Sequence, residues 1–143
     1  MFRNILIAVD LSEVSADVCA RGVDVARHYA ADVTLLHVVE PIIIDPVYDV
    51  LPAIPVELEE RHVENARREL AQLGSRFGIE RARCRVEMGS TKAEIIRLAE
   101  HLRAELIVVA SHSRRGVGRL LGSTAASVLH AAACDVLAVH VRE

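Results

Sequence analysis

The sequence predicts an α/β fold: one doubly wound domain over residues 1–143, with a five-stranded parallel sheet and helices on both faces. Two observations carry this expectation. Apolar runs rich in β-branched residues, the pattern of strands covered on both sides, alternate with segments whose apolar residues recur at helical spacing. Strands joined one by one through single helices form βαβ units, which wind right-handed into a parallel sheet. A chain of 143 residues fits one domain,. At that size about two-thirds of the unfolded surface is buried on folding, without help from disulfides or metal.

The expected strands are Ile5–Val9, Val33–Val39, Arg83–Met88, Leu106–Ala110 and Val136–Val141. The third alternates Arg83, Arg85 and Glu87 with Cys84, Val86 and Met88, as a strand exposed on one face would. The first helical stripe is Val14, Val18, Gly22, Val25 and Tyr29. The second, on Val56–Gly74, is Leu58, His62, Ala66, Leu70 and Leu73. The third is Ile95, Leu98, Ala99 and Leu102, and the fourth is Thr124, Val128, Leu129 and Ala132,. Ser12 is the expected N-cap of the first helix, and Thr91 with Glu94 the capping box of the third. Glu57/Arg61 and Glu64/Arg68, each four residues apart, mark a solvated helix face. One segment breaks the rhythm: Glu40–Pro55 holds all four prolines among many apolar residues. It reads as a lid over a site, as a surface for a second subunit, or as a long loop packed on its own domain.

Composition excludes several classes. Apolar residues at 52% and charged residues at 26% exclude a disordered chain,. A net charge of −3 excludes a general nucleic-acid binder,. Aromatic content of 3%, with no Trp, excludes base stacking as a major mode,. Cys19, Cys84 and Cys134 are odd in number and form no CxxC, so they are expected to be reduced, buried small hydrophobes,. The seven histidines lack metal-ligand spacing, and no metal site is expected,. The apolar run before Asp10 is too short for a signal peptide. The uncharged stretch Leu120–Cys134 falls short of the roughly 20 apolar residues of a membrane span,. A soluble, cytoplasmic protein that engages neither membrane nor nucleic acid is the expectation.

In an open parallel sheet, ligands bind beyond the carboxyl ends of the strands where the strand order reverses. That point is expected between the first and fourth strands. The first ends Ala8-Val9-Asp10, with Asp10 at the mouth and no glycine to form a dinucleotide turn or Walker loop,. The fourth ends Ala110-Ser111-His112-Ser113-Arg114-Arg115-Gly116-Val117-Gly118-Arg119, followed by Leu120-Leu121-Gly122-Ser123-Thr124. Backbone N–H groups at a helix start, two hydroxyls and nearby guanidinium groups make a phosphate cup. Ser123 and Thr124 also serve as ordinary caps, and Arg114, Arg115 and Arg119 as solvated loop residues; both readings stand. A phospho-acceptor receiver domain is rejected: the third strand ends at Met88-Gly89, and the one lysine is Lys92.

The opening RNILIAVDLSEVS, the LLHVVEP of the second strand and the closing IVVASHSRRGVGRLLGSTAASVLHAAACDVLAVHV together resemble the universal stress protein family, in order and over essentially the whole chain. The resemblance implies strand order 3-2-1-4-5, a soluble cytoplasmic stress-response protein and a homodimer paired through the last strand. Here that strand would use Val136, Leu137, Ala138, Val139, His140 and Val141. Nucleotide-binding members of the family look like G-x2-G-x9-G-[ST] after the fourth strand. This chain has Ala110 and Ser113 at the first two glycine positions and a spacer of eight before Gly122-Ser123. Asp10 matches the ribose-contacting position, and Val38 or Val39 lies where an adenine edge would meet backbone. The resemblance thus implies ATP, with Mg²⁺, as a candidate ligand of Ala8, Val9, Asp10, Val38, Val39, Ala110, Ser111, His112, Ser113, Gly122, Ser123 and Thr124. Arg114, Arg115 and Arg119 would balance phosphate charge. The leading expectation is a homodimeric accessory protein that contacts an unknown protein partner and senses a nucleotide, with Glu40–Pro55 as its moving element. The alternative is an ATP-binding protein with slow hydrolysis or self-phosphorylation, in which Asp10 organises Mg²⁺ and Ser123 or Thr124 accepts the phosphoryl group.

Overall fold

The structure, a computed structural model, describes residues 1–41, 56–112 and 121–141. Ser113, Arg114, Arg115, Arg119 and all of Glu40–Pro55 after Pro41 lie outside the described residues. The elements run β1 (Asn4–Ala8), α1 (Ser15–Tyr29), β2 (Asp32–Val39), α2 (Val56–Arg76), β3 (Cys84–Met88), α3 (Thr91–Leu102), β4 (Leu106–Ala110), α4 (Ser123–Ala131) and β5 (Asp135–Val139). All pairings are parallel, in the order β3-β2-β1-β4-β5. The doubly wound sheet and its strand order are therefore as expected. The reversal lies between β1, whose chain continues to β2 on one side, and β4 on the other.

Alternating residues of the central strands feed two cores. Ile5, Ile7, Leu35 and Val108 pack with Val18, Val23 of α1 and Leu70, Leu73 of α2. Leu6, Leu36, Ile107 and Val109 pack with Ile95, Leu98 of α3 and Val128 of α4. β1 and β4 are buried on both faces, which is why they read as unbroken apolar runs,. Gly22 lets α1 lie close on β1: a Cβ there would sit 2.5 Å from Cδ1 of Ile7.

Several local expectations are corrected. β5 ends at Val139, where its pairing with Ala110 of β4 ends, so His140 and Val141 lie beyond the strand. Ser12 does not cap α1; Val14 holds that position without a side-chain cap. Ser90 caps α3, accepting from the Ala93 N–H, while Thr91 is already the first helical residue and turns its hydroxyl to Glu40. Glu64 pairs with Arg67, not Arg68, which donates to Asn65. The stripes also run too far at their ends: Tyr29, Leu58, His62, Thr124 and Leu129 are exposed. Met88, at the last position of an edge strand, is exposed as well. Cys19 is fully buried, but Cys84 and Cys134 only partly so. No helix among the described residues is long and apolar enough to cross a membrane.

Candidate functional site

Beyond the ends of β1 and β4 lies an open cleft of about 660 Å³, mouth included. Its position follows from topology: β1 sends its chain one way and β4 the other, so no connection fills the space between them,. One wall is apolar, built from Leu36, Val38, Ile95, Val109 and Ala125. The opposite wall comes from the end of β1 and the start of α1: Val9, Asp10, Val14, Ser15 and Val18, joined by His37.

Asp10 is fixed by its own neighbours. Its Oδ1 accepts from the Ser12 N–H at 2.9 Å, an Asx turn, and from the Ser15 hydroxyl at 3.3 Å,. Between these partners Leu11 adopts φ 63°, the left-handed region that a branched residue rarely visits,. The Asx turn and the packing of Leu11 against the core hold that conformation. His37 reaches across from β2, its Nδ1–H donating to the Val9 carbonyl at 2.8 Å.

The β4 side is made mostly of backbone. The Ser111 N–H donates to the Val139 carbonyl, and the Gly122 N–H donates to the Ser111 carbonyl at 2.7 Å. The first-turn N–H groups of α4, at Ser123, Thr124 and Ala125, have no intrahelical acceptor, as at any helix start,. Ser111 Oγ lies 3.1 Å from His112 Nδ1, and the His112 ring stands edge-on to that of His140 with centroids 6.2 Å apart. At the rim, Glu40 Oε1 accepts from the Thr91 hydroxyl at 2.8 Å and the Thr91 N–H at 3.2 Å. Those two bonds, the hydroxyl's first, hold the Glu40 carboxyl below its usual range,.

Of the candidates read from the sequence, Ala8, Val9, Asp10, Val38, Ala110, His112, Gly122 and Thr124 line this cleft. Val39, Ser111 and Ser123 do not. Val39 alternates away from Val38 and faces a shallow groove with Met88 and Leu58,. Sequence reasoning missed Val14, Ser15, Val18, Leu36, His37, Ile95, Val109 and Ala125 as cleft residues, and read Thr91 first as a cap, with an approach to a ligand second. A signal for His37 was present: it is the one polar residue in the run Leu35–Val39.

A universal stress protein family model matches residues 1–140. The chain belongs to that family. Universal stress protein A homolog 1 of Coxiella burnetii is 37% identical over 144 residues, covering 99% of each chain. Among solved structures, universal stress protein UspA from Lactobacillus plantarum superposes with a TM-score of 0.77 at 26% identity, over 98% of this chain and 97% of that one. A universal stress protein solved in complex with cAMP gives 0.72 at 23% identity, over 99% of both chains; at that identity the likeness speaks for the fold. Within the family frame, Ala110 is notable. It closes β4 and lines the cleft at the first of the two positions where the sequence departs from the expected glycine motif.

Proposed function

We propose that this chain is a cytoplasmic stress-response accessory protein, working as a homodimer and responding to a nucleotide held in the cleft beyond β1 and β4. The observation that carries this reading is the two-sided cleft itself. A flat apolar base suits the wall of Leu36, Val38, Ile95 and Val109, while Asp10 stands opposite with a carboxylate suited to sugar hydroxyls,. Among the described residues, both hydrogen bonds to Asp10 fall on Oδ1, which leaves Oδ2 for a ligand. Phosphates would meet the N–H groups of Thr124 and Ala125, which line the cleft at the positive end of α4,. The Gly122 N–H is already bonded to Ser111 and would not take part. ATP with Mg²⁺ is the proposed ligand, and the cAMP complex of a relative supports nucleotide as the ligand class.

The dimer would form through β5. As an edge strand it presents unpaired N–H and C=O groups along one side,. Along it lie half-buried Val136 and Leu137, on opposite faces of the sheet, and exposed Ala138. The β3 edge carries Arg85 and Glu87 in ion pairs, which discourage strand addition,.

The test is to denature the purified protein, identify any released small molecule, and titrate the stripped protein with MgATP, ADP and cAMP by calorimetry. Saturable binding of one of them at micromolar concentration is the expected result. Heat flow indistinguishable from dilution at millimolar concentration would overturn the nucleotide reading and leave a partner-binding protein.

A further inference from the structure

The polar group that sequence reasoning overlooked has a defined chemical state. A carbonyl can only accept, so the 2.8 Å contact between His37 Nδ1 and the Val9 oxygen requires the proton on Nδ1,. In the neutral ring Nε2 is then an acceptor, its tautomer fixed by backbone rather than by the ligand. Among the described residues nothing bonds to Nε2. The ring is half-buried and lines the cleft. Its tether, Val9, immediately precedes Asp10, so the imidazole and the carboxylate belong to one wall.

That wall is built from acceptors. Asp10 is an acceptor, the Ser15 hydroxyl is turned toward Asp10 Oδ1, and the Val9 carbonyl is occupied by His37. A ligand meeting it must bring hydrogen-bond donors, and the donors of a nucleoside on the side away from its base are the ribose hydroxyls. We propose that His37 is a specificity residue: Nε2 accepts a ribose hydroxyl beside Asp10, so the cleft distinguishes ribonucleotides from deoxyribonucleotides. This rests on the nucleotide reading above and adds to it a residue and a selectivity.

The test compares ATP with its 2′-deoxy and 3′-deoxy analogues in the full chain and two variants. His37→Asn keeps a donor near the Nδ1 position for the Val9 carbonyl and deletes the acceptor. His37→Gln places an amide oxygen near the Nε2 position. The natural chain is expected to bind ATP roughly five- to tenfold tighter than one of the two analogues, the range of one neutral hydrogen bond. His37→Asn should reduce that ratio to within about twofold, and His37→Gln should restore part of it. A merely structural role would lower affinity for all three nucleotides alike and leave the ratio unchanged, which would overturn the assignment while the nucleotide reading stands. Equal affinity of the natural chain for all three has the same meaning. If none of the three binds the natural chain, the nucleotide reading falls and this inference with it.

Discussion

The two lips of the cleft are built by different means. On the β1 lip, side chains bond to nearby backbone and to each other: Asp10 to Ser12 and Ser15, His37 to Val9, with Leu11 held at positive φ between them. On the β4 lip the bonds from Ser111 to Val139 and from Gly122 to Ser111 run between backbone groups. The first lip therefore offers charged and polar acceptors in set positions, and the second offers small residues and helix-start donors. A ligand with hydroxyls at one end and negative charge at the other matches that asymmetry.

Substitutions can break each lip separately. The largest effect is expected from Ala110→Leu on the β4 lip, which fills cleft volume while keeping a residue suited to a strand. MgATP affinity should fall by about a hundredfold, as for loss of a principal contact, with the folded state retained by circular dichroism. On the β1 lip, Asp10→Ala removes a charged acceptor and the turn it anchors, and affinity should fall roughly ten- to a hundredfold in calorimetry. Asp10→Asn keeps an acceptor for Ser12 and should recover the melting temperature more than the affinity. That separation distinguishes the ligand role of Asp10 from its turn role.

Behind the β1 lip, Cys19 of α1 is a probe of rigidity. Burial first, and the neighbouring Cys84 second, push its thiol up to about 12. Native protein at neutral pH should therefore react with a thiol reagent at Cys84 and Cys134 well before Cys19, with all three equal after denaturation. MgATP should slow Cys19 further if it braces α1.

The smallest effect concerns the rim. The Glu40 carboxyl is held low by Thr91, so its contribution to stability is present above the ordinary carboxylate range, about 4.3,. It is lost as pH falls through the depressed folded value. Thr91→Val should lower stability at pH 7 by well under about 1 kcal/mol, because Glu40 is exposed,. The difference from the natural chain should vanish in acid, as followed by denaturant melts across pH.

What the sequence disclosed and what it hid follow the same division. Residues whose role is burial in the sheet were legible: β2 was placed within one residue and β4 at its observed bounds, because a two-sided strand has no competing pattern,. Asp10 and Gly122 were correctly brought to one cleft, since topology alone requires it,. Local hydrogen-bond choices were not legible. Ser12 and Thr91 are both good caps by type, yet Ser12 lies too far before α1, and Ser90, one residue earlier than Thr91, takes the cap. His37 was hidden because its partner, the Val9 carbonyl, is 28 residues away in the chain and adjacent through strand pairing.

The central claim is that a nucleotide sits between these lips. An amide ¹⁵N–¹H titration with MgATP tests it residue by residue. The account predicts saturable shifts at Val9, Asp10, Val38, Thr124 and Ala125, with the β3 edge and the far ends of the helices unmoved. Shifts confined to β5 or α2, with the residues of both lips unchanged at saturation, would contradict it.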